Sequence, residues 1–140
     1  IVAVKEASGN VSQMAEICAT VPDGFLVLSG DDALALPLMA LGGHGVISVA
    51  SNQAPAEMAQ MIELAEQNDF TAARKLHQWL LPLMQINFVE SNPIPVKTAM
   101  AAMGLLHEVY RLPLCPPKAE SRERIARVLK ELNLHKAALV

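Results

Sequence analysis

Three short apolar runs punctuate the first part of the chain: Ile1–Val4, Phe25–Leu28 and Val46–Val49. None alternates with polar residues. Each therefore reads as a strand covered on both faces, as in a parallel sheet flanked by helices. Helical periods lie between them. Asn10 is a candidate N-cap with Gln13 as its capping-box partner, and Met14, Ile17 and Cys18 share one helix face. A second helix is predicted from near Asp31 to Leu41, where Gly42-Gly43 supply the left-handed exit. A third follows Pro55, with Met58, Met61, Ile62 and Ala65 at helical spacing. The order β-α-β-α-β-α is that of an α/β barrel or a doubly wound sheet.

After Gln67-Asn68-Asp69 the pattern turns wholly helical. Asp69 is a candidate cap, and Phe70, Ala73, Leu76, Leu80 and Leu83 keep a helical period to about Asn87. Ser91-Asn92-Pro93-Ile94-Pro95 breaks the pattern. A short helix then carries Val96, Ala99, Met100 and Met103, and stops at Gly104. Residues 111–118, with Pro113, Pro116 and Pro117, are predicted to be extended. A last amphipathic helix buries Ile125, Val128, Leu129 and Leu132. The expected domain boundaries are 1–67 for the βα units and 68–140 for a helical domain.

Composition narrows the function. The 140 residues can bury a core, and at 52% hydrophobic they are too apolar for a disordered chain. A net charge of −3 argues against nucleic acid as a partner, because phosphate contacts need a surplus of Lys and Arg. No apolar run reaches the roughly 20 residues that cross a bilayer, so no membrane is expected. Cys18 and Cys115 stand far apart, with neither a disulfide framework nor metal spacing, which fits a reducing cytosol and a cytoplasmic location. The chain opens on Ile1 inside a strand pattern with no signal peptide. It is therefore expected to be the C-terminal part of a longer protein.

Lys5 carries the chemistry most directly. Strand alternation puts it on one face with Ile1 and Ala3, opposite Val2 and Val4. An ammonium at the end of a buried strand is costly unless paired or exposed. Burial favours the neutral amine, which attacks carbonyl carbons. The plain alternative is a lysine whose stem follows the strand and whose charge stays in water.

Four segments in register bear on that choice: Lys5-Glu6-Ala7-Ser8-Gly9-Asn10, Leu28-Ser29-Gly30-Asp31-Asp32, Gly42 through Asn52, and Asn92-Pro93-Ile94-Pro95-Val96-Lys97. Together they resemble the dihydrodipicolinate synthase family of pyruvate-dependent, lysine Schiff-base aldolases. The resemblance covers nearly the whole chain. It implies the C-terminal part of a (β/α)8 TIM barrel, about strands 6–8, followed by a small helical C-terminal domain. It implies that Lys5 forms an imine with pyruvate, that the imine loses a methyl proton, and that the enamine attacks L-aspartate 4-semialdehyde. The implied product is 4-hydroxy-tetrahydrodipicolinate, on the route to diaminopimelate and lysine. Gly30 would lie beside the bound pyruvate, where the lack of a side chain allows close approach. Ile47 would line the same site through its backbone; its side chain reads equally as core. Homo-oligomers, a tetramer built as a dimer of dimers, are the implied assembly. No metal or organic cofactor is implied, because the imine is the electron sink.

Other residues have plainer readings. Asp31 and Asp32 open a helix and could cap it or meet substrate. The Gly42-Gly43-His44-Gly45 run precedes a strand, which excludes a phosphate loop. As a helix-to-strand loop it belongs to the stability side, and His44 is expected to be structural. His77, His107 and His135 show no metal-ligand spacing. The methionines read as core filler. Glu120–Arg124 and Glu123–Arg127 are spaced as ion pairs on the last helix. Asn92, Pro93 and Lys97 match the family's motif without an assigned chemical role, and a rigid turn is the modest reading.

The resemblance also implies a tyrosine, threonines and a carboxylate-binding arginine that this chain lacks; Tyr110, Arg74 and Arg111 do not match them. Alone, the chain is expected to be inactive and to associate through open sheet edges. Two other readings stay open. One is a lyase or aldolase for N-acetylneuraminate or a 2-keto-3-deoxy sugar acid, using the same lysine. The other is a non-catalytic barrel module serving assembly or regulation.

Overall fold

A computed structural model describes residues 1–134. β1 (Ala3–Glu6) and β2 (Leu26–Ser29) pair in parallel, with α1 (Val11–Thr20) as the crossover. Lys5 stands opposite Leu28, and Glu6 opposite Ser29. A 3-10 turn (Asp32–Leu34) leads into α2 (Ala35–Ala40), and a second (Ala50–Asn52) into α3 (Pro55–Glu66). α4 (Phe70–Ile86), α5 (Ile94–Ala102) and α6 (Ala119–Glu131) complete the described chain.

The expected fold class is corrected here. Among the described residues there are two strands, not three; the sequence expectation of strands 6–8 in the C-terminal part of a (β/α)8 barrel does not stand. The Val46–Val49 run makes a single parallel bridge, Ser29 to Val46, and then turns into the 3-10 turn at Ala50. Its apolar composition suits a strand, but Gly45 at φ 140° and the early turn leave too little extended backbone for a ladder. The architecture is α/β.

Among the described residues, the strands are also covered on one face only. Val4, Glu6, Val27 and Ser29 turn toward helices: Val27 and Ser29 are fully buried, and Val4 packs with Met14, Val27 and Leu38. The alternate residues Lys5, Leu26 and Ile47 are exposed. A single apolar cluster then runs from Ala35 and Met58 through Leu80, Leu83 and Met84 to Ile125, Leu129 and Leu132. It crosses the expected boundary at residue 67 without a break.

Helix ends follow the local chemistry. Asn10 Oδ1 accepts from Ser12 N at 3.0 Å and Gln13 N at 3.2 Å. The reciprocal capping-box bond is absent: Gln13 Nε2 reaches Glu6 Oε1 at 3.5 Å, and Asn10 N donates to Ser8 Oγ. Asp69 Oδ1 caps α4 through Ala72 N at 2.9 Å. α2 exits through Gly42 at φ 97°, the left-handed conformation that a Cβ disfavours. α5 starts at Ile94, inside the Pro-rich breaker, because Pro95 fits the first turn of a helix.

The Glu120–Arg124 and Glu123–Arg127 pairs are not salt bridges among the described residues. Arg122 instead makes a two-pronged pair with Glu108, Nη1 to Oε2 at 2.8 Å and Nη2 to Oε1 at 2.7 Å. The Arg122 hydrogen bonds hold the Glu108 carboxyl below the usual carboxylate range. That stabilisation is present above the ordinary carboxylate pKa and is lost as pH falls through the lowered one. Glu108→Gln should therefore destabilise the chain by at most about 1 kcal/mol near neutrality, the scale of an exposed pair. The deficit relative to wild type should close in acid. Urea unfolding of both proteins across that pH range measures it, and a deficit independent of pH would count against the pair.

Candidate active site

The sequence marks Lys5, Gly30 and Ile47, and the structure sets them along three adjacent stretches of backbone. Lys5 is the third residue of β1, and Gly30 follows the last residue of β2. Gly30 N donates to Glu6 O at 2.6 Å, continuing the strand pairing one step past β2. Ile47 N donates to Ser29 O at 2.7 Å, and Ser29 N to Gly45 O at 2.9 Å. The strand-end residues of β1 and β2 and the Gly45–Ile47 stretch are thus stitched side by side.

Lys5 and Gly30 are in contact. A Cβ built on Gly30 would lie 2.6 Å from Ala7 Cβ, 2.8 Å from Lys5 Cε and 3.1 Å from Lys5 Cγ. The lysine stem therefore crosses the face of the glycine. This departs from the buried amine considered from sequence: Lys5 is exposed, because nothing among the described residues covers its face of the sheet. Ile47 is 47% exposed on that same open side, so its side chain is not core.

Behind the strand ends the loops are rigidly bonded. Ser29 Oγ donates to Asp31 O at 2.7 Å and accepts from Asp31 N at 3.2 Å. Asp31 Oδ1 caps the first 3-10 turn through Ala33 N at 2.9 Å. Asp32 does not cap its own helix. Its Oδ2 accepts from Val49 N at 3.0 Å and Ala50 N at 2.9 Å, at the start of the second 3-10 turn. His77 Nε2 lies 2.8 Å from Ala33 O. His44 is structural as expected: its Nδ1 accepts from Val27 N at 3.2 Å, and its backbone N donates to Val27 O at 2.8 Å.

Sequence reasoning missed that two carboxylates, Glu6 and Asp32, are buried. Glu6 is 4% exposed, with Oε1 accepting from Ser8 N at 2.9 Å and Oε2 without a partner among the described residues. Asp32 is 1% exposed, and its Oδ1 is likewise unpartnered. The Asp32 contact joins residues 17 apart in sequence, so no local spacing announces it. Glu6, next to Lys5 in sequence, points to the opposite, helix-covered face.

Other features lie away from this cluster. A cleft of about 440 Å³ runs between the Gly45–Ser48 stretch and α3, lined by Val46, Met58, Ile62 and Glu63; Lys5, Gly30 and Ile47 do not line it. Among the described residues no cluster of His, Cys, Asp or Glu is placed to hold a metal. His135 lies outside the described residues. No helix among them is long and apolar enough to cross a membrane.

The contact generates a prediction. Gly30→Ala must push Lys5 and Ala7 aside, since real Cβ contacts do not reach 2.6 Å. Overpacking of this kind costs about 1–3 kcal/mol. Urea unfolding should show that loss, and a variant as stable as wild type would contradict the close approach.

Comparison with known proteins places the chain in a family. The profile of the Dihydrodipicolinate synthetase family matches residues 1–132. The chain is 51% identical over 140 residues to 4-hydroxy-tetrahydrodipicolinate synthase of Koribacter versatilis, covering 100% of this chain and 47% of that protein. It is 49% identical over 138 residues to the synthase of Chloroherpeton thalassium, covering 99% and 46%. The crystal structure of dihydrodipicolinate synthase from Aquifex aeolicus superposes with a TM-score of 0.95 at 44% identity, over 98% of this chain and 47% of that one. That of the chloride-inhibited enzyme from Acinetobacter baumannii complexed with pyruvate superposes at 0.92 and 39%, over 96% and 46%. The chain spans about half the length of the curated relatives it matches. It belongs to the dihydrodipicolinate synthetase family.

Proposed function

We propose that this chain contributes the imine-forming lysine of a 4-hydroxy-tetrahydrodipicolinate synthase, a carbon–carbon bond-forming lyase of lysine and diaminopimelate biosynthesis. The observation that carries this is the contact of the Lys5 stem with the bare backbone of Gly30 at paired strand ends, in a chain of this family. Pyruvate is supported as the first substrate by its presence in the Acinetobacter baumannii relative.

The chemistry follows from the placement. The Lys5 amine adds to the pyruvate C2 carbonyl; the carbonyl oxygen leaves as water, giving an imine. The protonated imine draws electron density from the methyl group, which loses a proton to give an enamine. The enamine carbon attacks the aldehyde of L-aspartate 4-semialdehyde, forming the new C–C bond. The amine of that substrate then adds to the imine carbon, closes the ring and releases Lys5 unchanged. Gly30 leaves room for the Lys5 stem, which carries the amine to the strand ends where pyruvate binds, and Ile47 borders that place through the stretch bonded to Ser29. Glu6 is not the base, because its carboxylate lies on the other side of the sheet among Ser8 and Gln13.

The remaining length of the protein supplies the wall opposite Lys5 and the groups that receive the second substrate. The complete protein is a cytoplasmic homo-oligomer, a tetramer made of two dimers. The exposed apolar side chains Leu26 and Ile47 lie on the face that this wall covers.

Borohydride reduction of the complete protein with pyruvate should add one reduced pyruvyl group to the peptide holding Lys5. Lys5→Arg should abolish both the adduct and condensation. The 140-residue chain alone should show no turnover. Labelling on another lysine, or cleavage of N-acetylneuraminate in place of condensation, would refute the assignment.

A further inference from the structure

Asp32 is buried at a cost that its own turn does not explain. A carboxylate withdrawn from water is unfavourable unless strongly hydrogen-bonded. Asp31 already caps the turn that Asp32 opens. Asp32 Oδ2 is spent instead on two consecutive backbone N–H groups of another segment, Val49 and Ala50. Charged acceptors make stronger hydrogen bonds than neutral ones, and N–H groups that open a helical turn lack acceptors within it.

The two ends of this clamp matter. Asp32 lies two residues past Gly30, and Val49 two residues past Ile47. Among the described residues, β2 is otherwise hydrogen-bonded to this segment further back, through Ser29, which donates to Gly45 O and accepts from Ile47 N, and through Val27, which exchanges two bonds with His44. Ser29 holds the stretches where they enter the site, and Asp32 holds them where they leave it. Past Ile47, Asp32 supplies the hydrogen bonds between the two stretches.

We propose that Asp32 is a positioning residue: its carboxylate fixes the spacing between the Gly30 turn and the Ile47 stretch, and thereby the slot in which pyruvate meets Lys5. This rests on the lysine–imine reading above. Asp32 touches no substrate; it acts through the backbone it holds. Its unpartnered Oδ1 makes asparagine a poor substitute, since an amide would place a donor where no acceptor is available among the described residues.

The test compares wild type, Asp32→Asn and Asp69→Asn in the complete protein. Asp69 also caps a turn of backbone, at the start of α4, and serves as the control for losing a cap. Asp32→Asn should slow formation of the borohydride-trapped imine and raise KM for pyruvate by about tenfold or more, on the scale that small misplacements produce. KM for the semialdehyde should move much less, and Asp69→Asn should leave imine formation unchanged once corrected for folded fraction. Wild-type imine kinetics in Asp32→Asn, or a loss matched by Asp69→Asn, would overturn the proposal. If Asp32→Asn does not fold, Asp32→Glu, which keeps the charge and lengthens the arm, carries the same expectation and the same refutation. No trapped imine in the wild type would instead sink the parent reading, and this one with it.

Discussion

Pairing of β1 with β2 sets Lys5 beside Leu28 and Glu6 beside Ser29, and strand alternation sends these two pairs to opposite faces. One face meets the helices and is dry; the other is open. An amine and a carboxylate adjacent in sequence are thereby kept on opposite sides of the sheet. The separation holds only while β1 and β2 stay close, and Gly30 is what allows that: any side chain there would collide with Ala7 and the Lys5 stem.

The helical part has a different character. Its core is built from Leu80, Leu83, Met84, Ile125 and Leu129, all essentially inaccessible, packed against Met58 and Met61 of α3. Each such side chain contributes a few kcal/mol when fully withdrawn from water. The polar contacts at its edge, including the Glu108–Arg122 pair, are exposed and worth far less. The helices thus provide most of the buried core, while the strand ends hold the candidate site.

The sequence made the helices legible because their signals are local. Asn10, Asp69, Gly42 and Gly104 each mark a helix end within a few residues, and the buried methionines fall at the predicted period. The candidate site was partly legible: Lys5 and Gly30 stood out on residue type and motif, and their contact follows from one strand pairing. What escaped was set by distance along the chain. Asp32 reads as a helix opener until Val49 is folded against it. Val46–Val49 reads as a strand until the turn at Ala50 cuts it short. The exposure of Lys5 and Ile47 depends on what stands across the open face, which no periodicity within this chain encodes.

Gln53 and Asn87 exchange two hydrogen bonds across the core, Gln53 Nε2 to Asn87 Oδ1 at 3.1 Å and Asn87 Nδ2 to Gln53 Oε1 at 2.7 Å. Both side chains are sealed from water. Each amide satisfies the other, so changing either one strands its mate, and the two positions behave energetically as one. Gln53 directly follows the 3-10 turn that Asp32 grips, and Asn87 ends α4. A mechanical line therefore runs from the end of α4, through one amide pair and one short turn, to the backbone stretch bonded beside the strand ends.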